Sequence, residues 1–242
     1  ASENQTEAFT ATASDADGDS MTFNISGGVD KDEFTIVSTS GVVTFNTAPD
    51  YESKNSYVVI IDVLDGAYTT SQEVTINITD VNEAPIFTTS NTFAADENQS
   101  SVDTVSASDP EGTSITYSLS GDDASALNIS ESGVLTFETE PNYESKSSYS
   151  IIANADDGAN TTTQEITINI NDINDPPVVS DASYTFNMYP ETSKAYTLSA
   201  SDEDGDSLTY TILSNGTYGT ASFTNQEKTK TIDVSATAGS DL

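Results

Sequence analysis

The amino-acid sequence predicts an all-β protein made of tandem β-sandwich domains joined end to end. Two observations predict this fold class: apolar residues alternate with polar ones along much of the chain, and long stretches of sequence recur at a nearly constant spacing. Alternation of period two puts every second side chain on the same face of a strand. A repeat of about 90 residues, filled by roughly seven short strands, is typical of tandem β-sandwiches.

Three segments in the first third of the chain show the alternation most clearly. Apolar residues occupy alternate positions from Met21 to Ile25, from Tyr57 to Val63 and from Val74 to Ile78. Ser, Thr, Asn and Gly are frequent between these segments, as expected for turns. No segment combines a long helical stripe with capping residues at both ends. Each of the three segments is therefore predicted to be a strand with one buried face.

Comparison of the chain with itself reveals the repeats. Residues 2–23 (SENQTEAFTATASDADGDSMTF) match residues 96–117 (DENQSSVDTVSASDPEGTSITY) at an offset of 94. Residues 48–85 match residues 140–177 without a gap at an offset of 92. A third and weaker copy of the first block, YPETSKAYTLSASDEDGDSLTY, covers residues 189–210.

These matches predict three domains: a repeat over residues 1–84 that lacks its first strand, a complete repeat over residues 85–176 and a partial repeat over residues 177–242. Two explanations of the partial repeats stay open. The sequence is an arbitrary segment of a longer array, or open sheet edges at its ends accept a strand from another chain. Any export signal or anchor is expected outside these residues, because no apolar run approaches the roughly 20 residues that span a bilayer.

The charge balance narrows the function. Forty acidic residues against six lysines give a formal net charge of −34, and the chain contains no cysteine and no histidine. Such a surface repels nucleic acid and anionic membranes and concentrates cations, although solubility in salty water would also explain it. Missing cysteines exclude a disulfide scaffold and a thiolate metal site. Without histidine, cysteine or a serine beside an obvious base, we expect no enzymatic activity.

The acids fall into short clusters in the predicted loops. The clusters of the first repeat are SEN (2–4), SDADGD (14–19), PDYE (49–52) and DVNE (80–83). Like charges about 4 Å apart cost several kcal/mol at an effective dielectric constant of about 20, so such clusters repel themselves unless a cation lies among them. Ca²⁺ accepts about six to eight oxygen ligands in flexible geometry, whereas Mg²⁺ prefers a tighter octahedron. The clusters therefore predict Ca²⁺ sites at the ends of the domains.

Five motifs occur twice in the same order between residues 1 and 177: ENx, A-S-D-x-D/E, x-D/N-Y-E, V/A-x-D-G and a closing D-x-N-D/E-x-P. This series resembles the cadherin repeat, especially the cadherin-like repeats of bacterial surface proteins. Residues 176–212 are more loosely similar to the cadherin-like, immunoglobulin-like modules of large bacterial adhesins. The resemblance implies Greek-key β-sandwiches of the cadherin or immunoglobulin-like type, located outside the cell at its surface.

The resemblance also implies Ca²⁺ bound where consecutive repeats meet. At junction 1, between residues 1–84 and 85–176, the matching ligands are Glu3, Asp50, Glu52, Asn82, Glu83, Asp109, Glu111 and Asp157, with the backbone carbonyls of Val81 and Ala84. At junction 2, between residues 85–176 and 177–242, the matching ligands are Glu97, Glu144, Asn174, Asp175, Asp202 and Asp204. Because Asn142 stands at junction 2 where junction 1 has Asp50, we expect fewer or more weakly bound ions there.

These features predict a Ca²⁺-rigidified extracellular spacer in a large bacterial adhesin or surface protein. Its expected partners are calcium ions and the neighbouring repeats of the same chain, with no nucleic acid and no membrane insertion in these residues. The alternative is a self-assembling surface-layer, filament or matrix protein, whose repeats contact other copies or a cell-surface ligand. A carbohydrate-binding module is a third possibility. The heavy charge and the scarcity of aromatic residues favour the spacer.

Overall fold

The computed structural model describes residues 1–179, 193–212, 219–224 and 230–236, and in these ranges the fold is almost entirely β. The helical elements found in them are two short 3-10 turns, Lys31–Glu33 and Ala124–Ala126. The all-β prediction is therefore confirmed. Parts of the third predicted domain, namely residues 180–192, 213–218, 225–229 and 237–242, lie outside the described residues.

The first repeat consists of two antiparallel three-stranded sheets. One sheet has the strand order β2-β5-β6 and the other has the order β1-β4-β3. The strands are β1 (Glu7–Thr10), β2 (Thr22–Gly27), β3 (Phe34–Ile36), β4 (Val42–Phe45), β5 (Ser56–Leu64) and β6 (Thr69–Asn77).

The second repeat has the same arrangement with additional strands at its start. Its larger sheet has the order β11-β14-β15-β8, in which β8 runs parallel to β15, and its smaller sheet has the order β12-β13-β9. A separate antiparallel pair joins β7 to β10. The strands are β7 (Ile86–Phe87), β8 (Thr92–Asp96), β9 (Ser101–Thr104), β10 (Ala107–Ser108), β11 (Thr116–Ser120), β12 (Leu127–Ile129), β13 (Val134–Phe137), β14 (Ser148–Asp156) and β15 (Thr161–Asn171).

The third segment repeats part of this pattern. A short antiparallel pair joins β16 to β18, as β7 joins β10 in the second repeat, and an antiparallel sheet has the order β17-β20-β19. The strands are β16 (Val178–Val179), β17 (Ser193–Leu198), β18 (Ala200–Ser201), β19 (Gly219–Thr224) and β20 (Lys230–Ala236).

Each of the two well-formed sandwiches encloses its own apolar core, built from the alternating residues that the sequence singles out. In the first repeat, Val59 of β5 and Val43 of β4 come from different sheets, belong to one apolar cluster and are fully buried. In the second repeat, Leu135, Ile151 and Ile168 are buried to the same degree. The inner faces of the strands pack in the core, and their outer faces are rich in Ser and Thr. The acidic clusters therefore lie in the loops at the two ends of each sandwich.

Gly133→Ala is expected to destabilise the second repeat strongly, because Gly133 has a φ of 82° and an added Cβ would lie 2.0 Å from the carbonyl oxygen of Val105. The matched control is Gly112→Ala. Gly112 has a similar φ of 74°, but nothing lies within 4 Å of the added Cβ. The control should cost only the left-handed strain of about 1–2 kcal/mol. Urea unfolding of both variants measures the difference, and equal losses of stability would contradict the steric account.

Candidate metal centres

A buried glutamate organises the lower end of each sandwich. Glu3 is only 3% exposed, and its two carboxylate oxygens accept hydrogen bonds from the backbone N–H groups of Tyr51 (2.7 Å) and Val81 (2.6 Å). Glu97 is equally buried and accepts corresponding bonds from Tyr143 (2.8 Å) and Ile173 (2.8 Å). Each glutamate therefore ties the start of its repeat to the acidic turn and to the outgoing linker.

The acidic turn that carries Glu52 is held by local hydrogen bonds. The side chain of Asp50 accepts the N–H of Ser53 at 2.9 Å, and its carbonyl accepts the N–H of Lys54 at 2.9 Å. The Lys54 ammonium is in turn paired with Asp30 and lies 4.4 Å from the centre of the Tyr57 ring. The charge of Lys54 is thus engaged by Asp30 and by the Tyr57 ring.

The second repeat fixes its acidic turn in the same way. Asn142 accepts the N–H of Ser145 at 2.7 Å, and Lys146 is paired with Asp123 and lies 4.6 Å from the centre of the Tyr149 ring. The hydrogen bonds from Lys146 and Ser150 lower the pKa of Asp123 below its ordinary value and so favour its charged form. Glu144 is therefore presented at junction 2 as Glu52 is at junction 1.

Two groups of three carboxylates converge at junction 1. Glu3, Glu52 and Glu83 each place one oxygen within 4.8 Å of the others, and Glu52, Asp80 and Glu111 form a second group of the same kind. Glu52 belongs to both. Asp80 is missing from the ligands predicted from sequence, although it is the first acid of the repeated D-x-N linker motif.

The other ligands predicted at junction 1 lie beside these groups. Asn82 donates its amide to Asp157 across the junction at 2.9 Å, and the backbone N–H of Glu83 donates to Glu111 at 3.1 Å. Asp109 has one oxygen that accepts the N–H of Thr113 at 2.8 Å and a second that is buried without a hydrogen-bond partner.

Two predicted backbone ligands stay untested by these contacts. Val81 uses its N–H to hold Glu3, and Ala84 is exposed in the linker. Coordination of an ion by the carbonyls of Val81 and Ala84 remains a prediction.

Junction 2 brings four carboxylates together. Glu97, Glu144, Asp172 and Asp204 each place one oxygen within 4.8 Å of the others. Asp172 is the counterpart of Asp80 and is likewise missing from the predicted ligands.

Of the remaining ligands predicted at junction 2, Asp175 contacts this group directly, and Asn174 and Asp202 form hydrogen bonds with nearby residues. Asp175 donates its N–H to Asp204 at 2.6 Å and accepts the side-chain amide of Asn98 at 2.8 Å. Asn174 donates to the carbonyl of Asp175 at 3.0 Å, and Asp202 accepts the N–H of Asp206 at 2.9 Å.

Desolvation and the charges of neighbouring acids raise the pKa values of three of the converging carboxylates. The pKa of Glu52 is raised, first by partial desolvation and then by the charges of Glu3, Glu111 and Asp80. Desolvation and the charge of Asp204 likewise raise the pKa of Asp172. The hydrogen bond that Glu111 accepts from Glu83 lowers its pKa, but desolvation and the charge of Asp109 act in the opposite direction, and the pKa of Glu111 is raised overall. The two junctions are therefore strained by their own negative charge.

Several carboxylate oxygens at the junctions are buried without a hydrogen-bond partner among the described residues: Asp109 Oδ2, Glu111 Oε1, Asp175 Oδ2 and Asp204 Oδ1. Leaving such an acceptor unsatisfied is costly, so its presence calls for a ligand. The donor set contains only carboxylates, amides and backbone carbonyls, which suit a hard cation such as Ca²⁺ and not a soft transition metal. The residues present thus fit a calcium ion.

Comparison with known proteins points to the same kind of repeat. Residues 1–79 match the family described as Cadherin domain, and residues 174–241 match the family described as Bacterial Ig domain. Human protocadherin-15 is 30% identical over 220 residues, which cover 84% of this chain and 11% of that protein. The chain spans about a tenth of the length of the curated relatives that it matches.

Solved structures share the fold. The EC22-24 fragment of mouse cadherin-23 aligns with a TM-score of 0.54 at 18% identity, covering 99% of this chain and 85% of that chain. The EC1-3 fragment of mouse protocadherin-24 aligns with a TM-score of 0.54 at 20% identity, covering 96% and 80%. At these identities the likeness supports the fold alone.

Two further findings concern enzymatic activity and membrane-spanning helices. Cadherins are adhesion proteins without enzymatic activity, which confirms the expectation that the chain is not an enzyme. Among the residues that the structure describes, no helix has the length and apolarity needed to cross a bilayer. The family match and the protocadherin-15 relative show that the chain is built from cadherin-like repeats, followed by a segment that matches bacterial immunoglobulin-like domains.

Proposed function

We propose that the chain is a calcium-rigidified spacer segment of a large bacterial adhesin or surface protein, exposed outside the cell, with Ca²⁺ bound at both repeat junctions. The observation that carries the proposal is the convergence of carboxylates from two repeats and the linker, several with buried oxygens that lack a partner. The match of residues 174–241 to bacterial immunoglobulin-like domains favours a bacterial surface protein.

The residues that would hold the ions come from three parts of the chain at each junction. At junction 1 they are Glu3, Asp50, Glu52, Asp80, Asn82, Glu83, Asp109, Glu111 and Asp157. At junction 2 they are Glu97, Glu144, Asp172, Asn174, Asp175, Asp202 and Asp204. A bound divalent cation supplies the positive charge that these acids lack. Since each set spans two repeats, binding links the two repeats through the set.

The linker residues add geometric restraint. Pro85 and Pro177 have no backbone N–H and keep the residues before them extended, so the chain leaves one sandwich in a straight path toward the next. Pro85 is also fully buried, which anchors the linker to the second repeat. Across junction 1, the hydrogen bonds of Asn82 to Asp157 and of Asn160 to the carbonyl of Asn82 (3.2 Å) already connect the linker to the second repeat. Once bound calcium neutralises the acids, the prolines and these hydrogen bonds would together hold the two repeats in a fixed orientation.

Removing calcium is expected to shorten and loosen the particle, because the uncompensated acids at both junctions repel each other. Small-angle scattering of the protein in about millimolar Ca²⁺ and in chelator measures the change. The maximum dimension should be larger and better defined with calcium, and calorimetric titration should show several ions bound per chain. Mg²⁺ at the same concentration is the control for simple screening of charge. Identical scattering curves with calcium and with chelator would contradict the spacer function.

A further inference from the structure

The ENQ motif, present in both repeats, contains an asparagine with an unusual backbone conformation. Asn4 has a φ of 59° and Asn98 a φ of 60°, and in the part of the chain that the structure describes every other residue with a positive φ is a glycine. L-residues other than glycine disfavour this left-handed conformation, and asparagine is one of the few that adopt it. Glycine would fit the same backbone without strain, so the recurrence of asparagine indicates that its side chain is used.

The side-chain amide of each asparagine contacts an acid of the outgoing linker. Asn4 Nδ2 donates to Glu83 Oε1 at 2.6 Å, and Asn98 Nδ2 donates to Asp175 Oδ1 at 2.8 Å. Glu83 and Asp175 occupy the same position in the two D-x-N-D/E linkers, and both are partly buried. Each amide therefore joins the start of a repeat to the linker that leaves it.

The backbone of each asparagine is tied to the acidic turn of the same repeat. The N–H of Asn4 donates to the carbonyl of Pro49, and the N–H of Asn98 donates to the carbonyl of Pro141, both at 3.0 Å. These prolines directly precede the acidic turns. Each asparagine thus connects the acidic turn, through its backbone, with the linker acid, through its side chain.

At junction 2, this amide leaves the other oxygen of the linker acid without a partner. Asn98 occupies Oδ1 of Asp175, and Oδ2 is buried with no hydrogen-bond partner among the described residues. The N–H of Asp175 donates to Oδ2 of Asp204, whose Oδ1 is also buried and unpaired in the described part of the chain. Buried acceptors without a partner are costly, so these two oxygens are the ones that a cation would satisfy.

Junction 1 repeats this order of contacts with longer side chains. Asn4 holds Oε1 of Glu83, and the N–H of Glu83 donates to Oε2 of Glu111 at 3.1 Å. Oε1 of Glu111 is buried and has no partner among the described residues. Glu83 also belongs to the carboxylate group of Glu3 and Glu52. The arrangement is therefore kept although glutamates replace both aspartates.

We propose that Asn4 and Asn98 are positioning residues for the calcium sites: each amide holds one oxygen of the linker acid and leaves the other oxygen for the ion. This inference rests on the proposed calcium function. The partial positive charge of the amide reduces repulsion among the acids without metal and fixes the linker carboxylate before the ion binds. Because amide and ion use different oxygens, the amide keeps its hydrogen bond when calcium binds.

Substitutions of Asn98 in the whole chain test the proposal. Asn98→Gly keeps the left-handed backbone and removes the amide, and Asn98→Asp replaces the donor with another carboxylate. The N–H groups of Ile173 and Asp175 donate to carboxylates and report on the linker. In chelator, their hydrogen exchange should be at least about threefold faster in Asn98→Gly than in the parent chain, and faster still in Asn98→Asp.

Calorimetric titration with Ca²⁺ measures the effect on the ions. Asn98→Gly should weaken binding at junction 2 by about threefold to tenfold and leave junction 1 unchanged, because the linker acid is no longer held in place. Asn4→Gly should cause the corresponding loss at junction 1 alone. Gln99→Gly is the matched control, since it places a glycine at the adjacent exposed residue and keeps the amide, and it should change neither exchange nor affinity.

A swapped pair separates the amide from the backbone. Asn98→Asp combined with Asp175→Asn restores a donor and an acceptor in the opposite order, so exchange in chelator should return close to the parent rate. A purely backbone role of Asn98 would not produce this rescue.

Parent-like exchange or parent-like calcium affinity in Asn98→Gly would overturn the proposal. Tighter calcium binding in that variant would also overturn it, because the amide would then compete with the ion. Absence of calcium binding by the parent chain would instead contradict the proposed function, and the exchange rates in chelator would still show whether the amide holds the linker acid.

Discussion

Replacing Glu52 with alanine is expected to abolish most Ca²⁺ binding at junction 1 and to leave the sandwich folded. Glu52 is exposed, yet it is shared by both groups of carboxylates at this junction. A carboxylate in direct contact with a divalent cation attracts it even at the dielectric constant of water, so its removal should lower the affinity by roughly a hundredfold. Calorimetric titration of the variant should show fewer ions and a weaker remainder.

Two matched variants separate the metal site from general charge. Glu131→Ala removes an exposed glutamate of the second repeat that belongs to none of the carboxylate groups, and it should leave the titration unchanged. Glu144→Ala removes the counterpart of Glu52 and should affect junction 2 alone. If Glu52→Ala bound calcium as the parent chain does, the assignment of the carboxylates at junction 1 would be wrong.

Glu52 is a better test than Glu3 because the two residues differ in burial. Glu3 is 3% exposed and accepts hydrogen bonds from Tyr51 and Val81, so its removal would leave two buried N–H groups without their acceptor. Loss of calcium binding in a Glu3 variant would then mix damage to the fold with loss of a ligand. The carboxylate of Glu52 does not hold two parts of the chain together as Glu3 does. Without metal, the melting temperature of the Glu52→Ala variant should therefore equal or exceed that of the parent chain.

The fold was predictable because its determinants are local and repeated. Alternating residues such as Val59 and Ile76 identify buried strand faces without knowledge of the partner strand, and the internal repeat carries that assignment from one sandwich to the next. The pairing of strands that are distant in sequence is predicted by the sandwich fold that the repeat length indicates, and not by any single strand. The extra pair of β7 with β10 could not be predicted from the sequence pattern, because two-residue strands are too short to show periodicity.

The candidate site was predictable only in part. Motif order points to Glu3, Glu52 and Glu111, and the structure places Glu3 and Glu111 in two different carboxylate groups that share Glu52. Asp80 and Asp172 were missed because each lies shortly after an outgoing strand, Asp172 directly after β15 and Asp80 beyond the end of β6, and the sequence does not show on which side such a residue lies. Their signal was the acid at the first position of both D-x-N linkers, at the same place in each repeat.

One contact across junction 2 has no counterpart at junction 1 and no trace in the sequence pattern. Asn142 donates its side-chain amide to Glu203 at 2.6 Å. Glu203 stands where the second repeat has Pro110, and Asn142 stands where the first has Asp50, so neither residue matches the repeat pattern. This hydrogen bond connects the acidic turn of one repeat directly to the next repeat, whereas the metal-free hydrogen bonds across junction 1 come from linker residues such as Asn82. Junction 2 is therefore expected to depend less on calcium than junction 1.

Asn142→Asp should reverse this difference. The new carboxylate adds a ligand to a group that already contains Glu97, Glu144 and Asp204, so calcium should bind at least about tenfold more tightly at junction 2. Without metal, the change replaces the hydrogen bond to Glu203 with repulsion, so the metal-free junction should become looser. Calorimetry in the Glu52→Ala background isolates junction 2, and scattering in chelator reports on the metal-free state.

The reciprocal change, Asp50→Asn, is the matched control at junction 1. It removes one carboxylate but keeps an oxygen that can accept the N–H of Ser53, so the acidic turn should stay intact while calcium affinity falls. Opposite shifts in the two variants would show that a single position sets how strongly each junction depends on metal. Unchanged calcium affinity in both variants would mean that neither residue 50 nor residue 142 reaches an ion. The two junctions would then differ for another reason. One such reason is side-chain length, because junction 1 has Glu83 and Glu111 where junction 2 has the shorter Asp175 and Asp204.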